Sequence, residues 1–178
     1  QTDKELFQYA PAPSRAVYVL RDGDNYMAAV FIRTYFPDDP NAYSDLAEVY
    51  RIYGIEDAGG IASIAQVDWN RGKVIGAEIT DTEAISKFYA LTTDIVNFVS
   101  MDNDAFQDRV FADVPEENAP EAHSAFADDQ QTIRIETADG HRFFVSIYPS
   151  YGYLYSSGAM AYHQITPQLA EWINEYLE

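Results

Sequence analysis

The chain of 178 residues contains no cysteine. Disulfide bonds, thiol catalysis, zinc sites built on cysteine and iron–sulfur clusters are therefore excluded. An oxidising compartment does not require disulfides, so this absence leaves the location of the protein open.

Basic residues are scarce: 11 lysines and arginines stand against 29 acidic residues, which gives a formal net charge of −18. Binding to nucleic acid needs basic side chains that displace counterions from phosphates, and binding to anionic membrane surfaces needs similar basic clusters. The composition argues against both of these partners. It favours solubility and a partner that is cationic, either a protein surface or a metal ion.

Long apolar runs are also missing, because no stretch approaches the roughly 20 residues of a membrane-spanning helix. The chain starts at Gln1, with neither a methionine nor a signal segment, so we expect a processed protein or a fragment of a longer one. Apolar residues nonetheless make up 47% of the chain and aromatic residues 15%, which is enough for a hydrophobic core.

Three stretches of strand-forming residues flank turn signals and predict three β-hairpins. The first joins 16–20 to 26–36 through a polar turn at 22–25, and the second joins 61–69 to 74–80. The third surrounds Asp139-Gly140, a dipeptide that favours tight turns between strands. Further strands are predicted at 151–156 and 159–165.

Helices are predicted between and after the hairpins. A short helix precedes Gly54, and a longer one over 80–100 has Thr80 and Glu83 at capping-box spacing. Its apolar stripe comprises Ile85, Phe88, Thr92, Ile95 and Val99. The last helix begins with Thr166 as N-cap and Pro167 as first residue, and it should bury Trp172 in the core.

These elements predict an α+β fold, in which antiparallel hairpins form a sheet that packs against two or three helices. Residues 1–15 are interpreted as an N-terminal extension, since Pro11 and Pro13 disfavour regular structure. Residues 16–178 form a single domain, with the option of two lobes, 16–100 and 130–178. The segment 101–130 holds nine acids and one arginine and is predicted to be a solvated connector with a helical start at 105–110. Within it, 113–121 should be a mobile loop.

Tyr151, Tyr153 and Tyr155 are the candidate ligand-binding residues. Alternation along a strand places all three on one face. Two interpretations stay open. The rings either pack in the core beneath a helix, such as the one that contains Trp172, or form an exposed face that stacks on a sugar or peptide. The core interpretation is favoured, because the opposite face offers little apolar area.

No catalytic, metal-binding or cofactor-binding residue is predicted. His123, His141 and His163 lie far apart and form no HExxH motif, and Asp102, Asp104 and Asp108 lack the glycine and terminal glutamate of an EF-hand loop. Ser150 is not in a nucleophile motif, and no phosphate-binding loop surrounds Gly59-Gly60. We therefore expect a protein that is not an enzyme.

Two patterns resemble the soluble extracytoplasmic domains of Gram-positive envelope proteins, which include uncharacterised lipoprotein-type modules and soluble domains attached to ABC-type permeases. The first pattern is GAEITDTEAISKFYAL, followed by the Asp-Gly hairpin, and the second is YLYSSGAMAYHQITPQLAEWINEYL. The resemblance implies an extracytoplasmic location at the bacterial cell envelope, whether secreted or anchored. It also implies a non-enzymatic module that can be covalently attached to a membrane-spanning parent protein.

Three functions are therefore considered. The first is a binding or sensory module at the cell envelope, with a protein, peptide or sugar as partner. The second is an acidic inhibitor or immunity-type protein that masks a cationic partner. The third is a hydrolase that acts on wall polymers through carboxylates.

Overall fold

Two antiparallel sheets and five helices make up the part of the chain that a computed structural model describes, which is residues 4–8, 17–30, 45–68, 70–95, 98–100, 104–159 and 161–177. The predicted α+β class is confirmed. The smaller sheet is a meander of the strands Lys4–Gln8 (β1), Val17–Asp22 (β2) and Asn25–Val30 (β3).

The larger sheet has seven strands in the order β5-β4-β7-β8-β9-β10-β6, and every neighbouring pair is antiparallel. In chain order these strands are Ile61–Asp68 (β4), Lys73–Ile79 (β5), Phe98–Ser100 (β6), Gln131–Thr137 (β7), Arg142–Tyr148 (β8), Tyr153–Ser156 (β9) and Ala161–Gln164 (β10). Because β4 pairs with β7, the ranges 16–100 and 130–178 share this sheet.

The helices are Leu46–Ile52 (α1), Thr82–Thr93 (α2), Asp104–Phe111 (α3), Ala119–Asp128 (α4) and Pro167–Tyr176 (α5). Short 3-10 helices cover Ala58–Gly60, Glu116–Asn118 and Pro149–Tyr151.

The three predicted hairpins are confirmed as β2–β3, β4–β5 and β7–β8. Gly23 and Gly140 adopt positive φ angles of 61° and 86° in two of the turns, which glycine does at little steric cost. The part of the first hairpin predicted at 31–36 lies outside the described residues, as do Pro11 and Pro13.

Side-chain caps fix where three helices begin. Asp45 Oδ1 accepts a hydrogen bond from the Glu48 N–H at 2.7 Å, and Thr166 Oγ1 accepts one from the Leu169 N–H at 3.2 Å, as predicted for α5. The predicted Thr80 cap of α2 is wrong by one residue, because Asp81 Oδ2 accepts from the Ala84 N–H at 2.8 Å. Aspartate caps at least as well as threonine, and its charge also complements the helix dipole.

The helix predicted over 80–100 is shorter than expected. It ends at Thr93, and Val99 lies in strand β6, which pairs with β10. In the last turn the Thr92 and Thr93 hydroxyls donate to the carbonyls of Phe88 and Tyr89, both at 2.8 Å. Such local hydrogen bonds compete with regular helix geometry, and the strand-forming residues that follow gain a partner in the sheet.

The main core lies between one face of the large sheet and helices α1, α2 and α5. Trp172 at its centre is fully buried, which confirms the prediction. Its Nε1–H donates to the Ala84 carbonyl at 2.9 Å, and its ring lies 4.7 Å from that of Phe88. These contacts join α5 to α2, although the two helices are far apart in sequence.

The acidic segment contains more regular structure than predicted. Helix α3 agrees with the expected helical start, but the loop predicted at 113–121 is wrong: Glu116–Asn118 is a 3-10 helix and α4 starts at Ala119. Pro120 lies in the first turn of α4, where proline is tolerated, and Glu121 complements the helix dipole there. The prediction that residues 1–15 lack regular structure is wrong for Lys4–Gln8, which form β1.

Trp172→Ala should lower the free energy of unfolding by roughly 3–5 kcal/mol, because it leaves a cavity and removes the partner of the Ala84 carbonyl. Urea unfolding monitored by far-UV circular dichroism would measure this loss. Ile75→Ala serves as the control, since Ile75 is 48% exposed and should change stability little. A loss below about 1 kcal/mol for Trp172→Ala would contradict the packing described here.

Candidate functional site

The three candidate tyrosines lie close to one another but not on one strand. Tyr153 and Tyr155 share a face of β9, where Tyr153 is 7% exposed and Tyr155 is half-buried. Tyr151 instead ends a 3-10 helix, and Gly152 follows it with a φ of 70°. The predicted strand over 151–156 is therefore wrong at its first two residues.

The rings belong to an aromatic cluster under α3 and α4, which lies on the other face of the sheet from the Trp172 core. The expectation that the helix containing Trp172 covers these rings is therefore wrong. Tyr153 packs edge-on against Phe106 of α3 at 5.2 Å, and Tyr151 packs against Phe126 of α4 at 4.9 Å. The cluster comprises Phe106, Phe111, Phe126, Tyr148, Tyr151, Tyr153, Tyr155 and Tyr162.

Two phenols of this cluster, those of Tyr148 and Tyr162, are held neutral. Burial raises the pKa of Tyr162 far above its ordinary value, and burial also raises the pKa of Tyr148, with which Tyr162 shares a hydrogen bond. Neither hydroxyl can therefore act as an anionic nucleophile or base near neutral pH. The cluster stabilises the fold by packing, and whether Tyr151, Tyr153 and Tyr155 bind a ligand stays a prediction.

A groove of about 380 Å³ lies beside the tyrosines, between the 3-10 helix Pro149–Tyr151 and the start of α5. Apolar side chains such as Ile165 and Ile173 line it together with the neutral polar side chains of Gln164, Thr166 and Asn174. The rings of the three candidate tyrosines are not among the described residues that line this groove.

The histidines stand on three different elements. His123 is exposed on α4 and packs against Phe111, His141 lies 3.6 Å from an Asp139 carboxylate oxygen in the β7–β8 turn, and His163 is fully buried on β10. Within the described ranges, no three histidine or acidic residues are arranged to hold a metal ion. Of the candidate calcium ligands, Asp104 and Asp108 lie on α3 and Asp102 lies outside the described residues.

An ionic network occupies the other end of the sheet face that carries the aromatic cluster. Arg134, which is 8% exposed, donates to Glu78 Oε1, and the same oxygen accepts from the Ser63 hydroxyl at 2.7 Å. Glu136 accepts from Arg142 at 2.7 Å and lies 3.9 Å from Arg134 Nε. The charges of the two arginines and the two glutamates cancel. Their hydrogen bonds and ion pairs link β5, β7 and β8.

The sheet β1–β3 is the most exposed apolar surface among the described residues. Leu6 is 60% exposed, Phe7 46%, Tyr26 65% and Met27 47%, and all five residues of β1 are exposed. In the rest of the described chain, the exposed large hydrophobic residues are Ile75 and Phe144. Exposed apolar surface that is concentrated in one element often marks an interaction site.

The strand register distributes these apolar residues over both faces of the small sheet. Leu6 lies opposite Leu20, which lies opposite Met27, so these three share one face. Phe7 lies opposite Val19 on the other face.

Two ion pairs lie side by side at one end of the β1–β2 pair: Lys4 with Asp22 at 3.4 Å and Arg21 with Glu5 at 3.2 Å. The charged groups of β1 are therefore already paired within the sheet. This surface was not predicted because the prolines that follow β1 suggested an extension. The available signal was the pair of opposite charges before Leu6 and the pair after Leu20, which suit antiparallel cross-strand pairing.

Comparison with known proteins gives no relative: no protein-family model, curated protein or solved structure matches the chain. In the part of the chain that the structure describes, no helix combines the length and the apolar character needed to cross a membrane.

Tyr153→Ala should lower the free energy of unfolding by roughly 3–5 kcal/mol, because the ring contacts Phe106 and is almost fully buried. Tyr153→Phe keeps the ring and should cost about 1 kcal/mol or less. Tyr26→Ala is the matched control, since Tyr26 is 65% exposed. If Tyr153→Ala kept full stability in urea unfolding, the packing role would be wrong and β9 would become the first place to search for a ligand.

His163 should make stability depend on pH. Burial lowers the pKa of His163 to about 4 from its ordinary 6.5, and Asp45 opposes this shift only in part. The unfolded chain therefore binds a proton more readily than the folded chain does. The stabilisation is complete above about pH 6.5 and should fall by about 3 kcal/mol as the pH drops to about 4.

The comparison of the wild type with His163→Gln isolates this contribution from the titration of the carboxylates. The stability advantage of the wild type, measured by urea unfolding at a series of pH values, should shrink between pH 6.5 and 4. A difference that does not change with pH would show that His163 does not titrate in this way. His123→Gln, which replaces an exposed histidine of α4, provides the control.

Proposed function

We propose that this chain is a non-enzymatic interaction module of a bacterial cell-envelope protein, and that the β1–β3 sheet is the surface that binds a partner protein. The observation that carries the proposal is the exposure of Leu6, Phe7, Tyr26 and Met27 within one small sheet. The cell-envelope location is supported by the sequence resemblance alone.

The energetics of burial support a binding role for this sheet. Complete burial of one such side chain contributes about 1.5–3 kcal/mol, so several buried together could offset much of the cost of association. A small sheet with apolar residues on both faces is also poorly stabilised by itself. A partner that covers it would therefore stabilise the sheet as well as the complex.

The charge of the chain indicates what kind of partner fits. At a formal charge of −18, the protein attracts surfaces that are rich in lysine and arginine. The centre of the sheet is apolar, and its charged groups are paired with each other. A partner with an apolar ridge and a basic rim matches both properties.

The acidic inhibitor is the second candidate, and it would use a different surface. Exposed acids are concentrated around α4, where Asp113, Glu116, Glu117, Glu121 and Asp128 all lie at the surface. A protein that masks a cationic partner would bind through these carboxylates. Substitutions on the two surfaces therefore separate the two functions.

The test begins with a photo-crosslinking amino acid at position 7, used in intact cells that carry the native gene. The captured protein is then purified and titrated against purified variants. Leu6→Ser should weaken binding about tenfold or more, because it removes an exposed apolar contact. Ile75→Ser is the matched control, since Ile75 is an exposed aliphatic residue on an edge strand of the other sheet, and it should change the affinity less than about twofold.

Two results would count against the proposal. Equal affinity of Leu6→Ser and the wild type would show that the sheet is not the binding surface. Loss of binding on Glu116→Gln and Glu117→Gln, with Leu6→Ser unaffected, would favour the acidic inhibitor instead.

A further inference from the structure

We infer that the partner binds as an extended, basic strand that pairs with the outer edge of β1. This inference rests on the proposed function, in which the β1–β3 sheet is the docking surface. It adds the conformation of the bound segment, the edge to which it binds and the chemistry of its side chains.

Strand β1 lies at an edge of its sheet. The strand order is β1-β2-β3, so β2 occupies one side of β1, and among the described residues no strand pairs with its other side. Half of the backbone N–H and C=O groups of an edge strand point away from the sheet and can pair with another chain.

Strand β5, an edge of the large sheet, differs from β1 in the regularity of its pairing. The pairing of β5 with β4 is interrupted by a register shift between Ala65 and Gln66, and Gly76 in β5 has a φ of 75°. Such irregularities and charged side chains protect edges against pairing with other chains. In β1 the five pairs from Lys4 with Asp22 to Gln8 with Tyr18 follow without a shift.

Strand β1 also exposes apolar side chains on both of its faces. Leu6 points to one face and Phe7 to the other, at 60% and 46% exposure. A helix or sheet packed on one face would cover only one of these side chains. A strand added at the edge places its own side chains beside both of them.

The same comparison favours β1 over β3, the other edge of the small sheet. In β3, Tyr26 and Met27 are the large exposed apolar residues among the side chains that the structure describes, and they lie near the turn at Gly23-Asp24. Leu6 and Phe7 lie in the middle of β1, where an added strand can extend in both directions.

The negative net charge of the protein favours basic residues in the bound strand. The charged side chains of β1 are engaged with Asp22 and Arg21, so a pairing strand meets a neutral edge on a strongly acidic protein. Two copies of the chain, each at −18, repel one another, which disfavours pairing between two β1 strands. Adjacent apolar residues at the centre of the partner strand match Leu6 and Phe7 on the two faces, and basic residues on either side of them match the overall charge.

The test uses three synthetic peptides of one sequence, in which two adjacent central valines are flanked on both sides by threonine and lysine, long enough to span β1. One peptide is unmethylated, and each of the other two carries N-methyl groups on alternate residues that block one of its two hydrogen-bonding edges. All probes have the same charge, so general attraction to an acidic protein is equal. The measurements are affinity by calorimetry and amide hydrogen exchange across β1.

We expect the unmethylated peptide to bind and to slow amide exchange in β1. At least one methylated version should bind about tenfold more weakly or worse, because it loses hydrogen bonds to the edge. Leu6→Ser should weaken the unmethylated peptide, and Ile75→Ser should not. Leu6 is already exposed, so its replacement should leave the fold intact, which the amide spectrum of the variant checks.

Equal affinity for all three peptides, or unchanged exchange in β1, would overturn the inference of strand pairing. If the crosslinked protein partner still lost affinity on Leu6→Ser, the docking surface would stand and only the strand geometry would fail. If that partner were insensitive to Leu6→Ser, the proposed function itself would fail. A dimer of the free chain that Leu6→Ser dissociates would identify a second copy as the occupant and overturn the inference of a foreign strand.

Discussion

The antiparallel pairing of β4 with β7 is the constraint on which the rest of the large sheet depends. It places 61–68 beside 131–137 and so joins two parts of the chain that more than sixty residues separate. Hairpins extend the sheet on both sides of this pair. Helices α1, α2 and α5 then cover one face around Trp172, whereas α3 and α4 cover part of the other face.

The two covered faces have different chemistry because side chains alternate along each strand. In β9, Leu154 belongs to the main core and the neighbouring Tyr153 to the aromatic cluster. Packing on both faces, together with the ionic network around Arg134, makes this sheet a scaffold. The small sheet differs, since both of its faces carry exposed apolar residues. The division between a covered scaffold and an exposed sheet is the basis of the proposed function.

Local signals predicted the parts of the fold that depend on local chemistry. The Asp139-Gly140 turn, the Thr166 cap and the buried Trp172 were all evident from the sequence. Elements that depend on distant partners were not. Val99 continues a helical stripe in sequence, yet it lies in β6 because β10 supplies a pairing partner. Helix α3 of the acidic segment was predicted in part, but α4 was missed, because its prolines and acids suggested a loop, although Phe126 packs it against Tyr151.

The candidate site was predictable only in part. The tyrosines attracted attention by their number, and their location in one cluster could be anticipated, but the helices that cover them could not. The exposed sheet was hidden by the prolines that follow β1. Amide hydrogen exchange of the free protein tests most directly whether β1 is an open docking surface. We predict that the amides of β1 exchange far faster than those of β4 and β7. Equal protection of these strands would mean that β1 is already covered in the free protein, which would contradict an open docking surface.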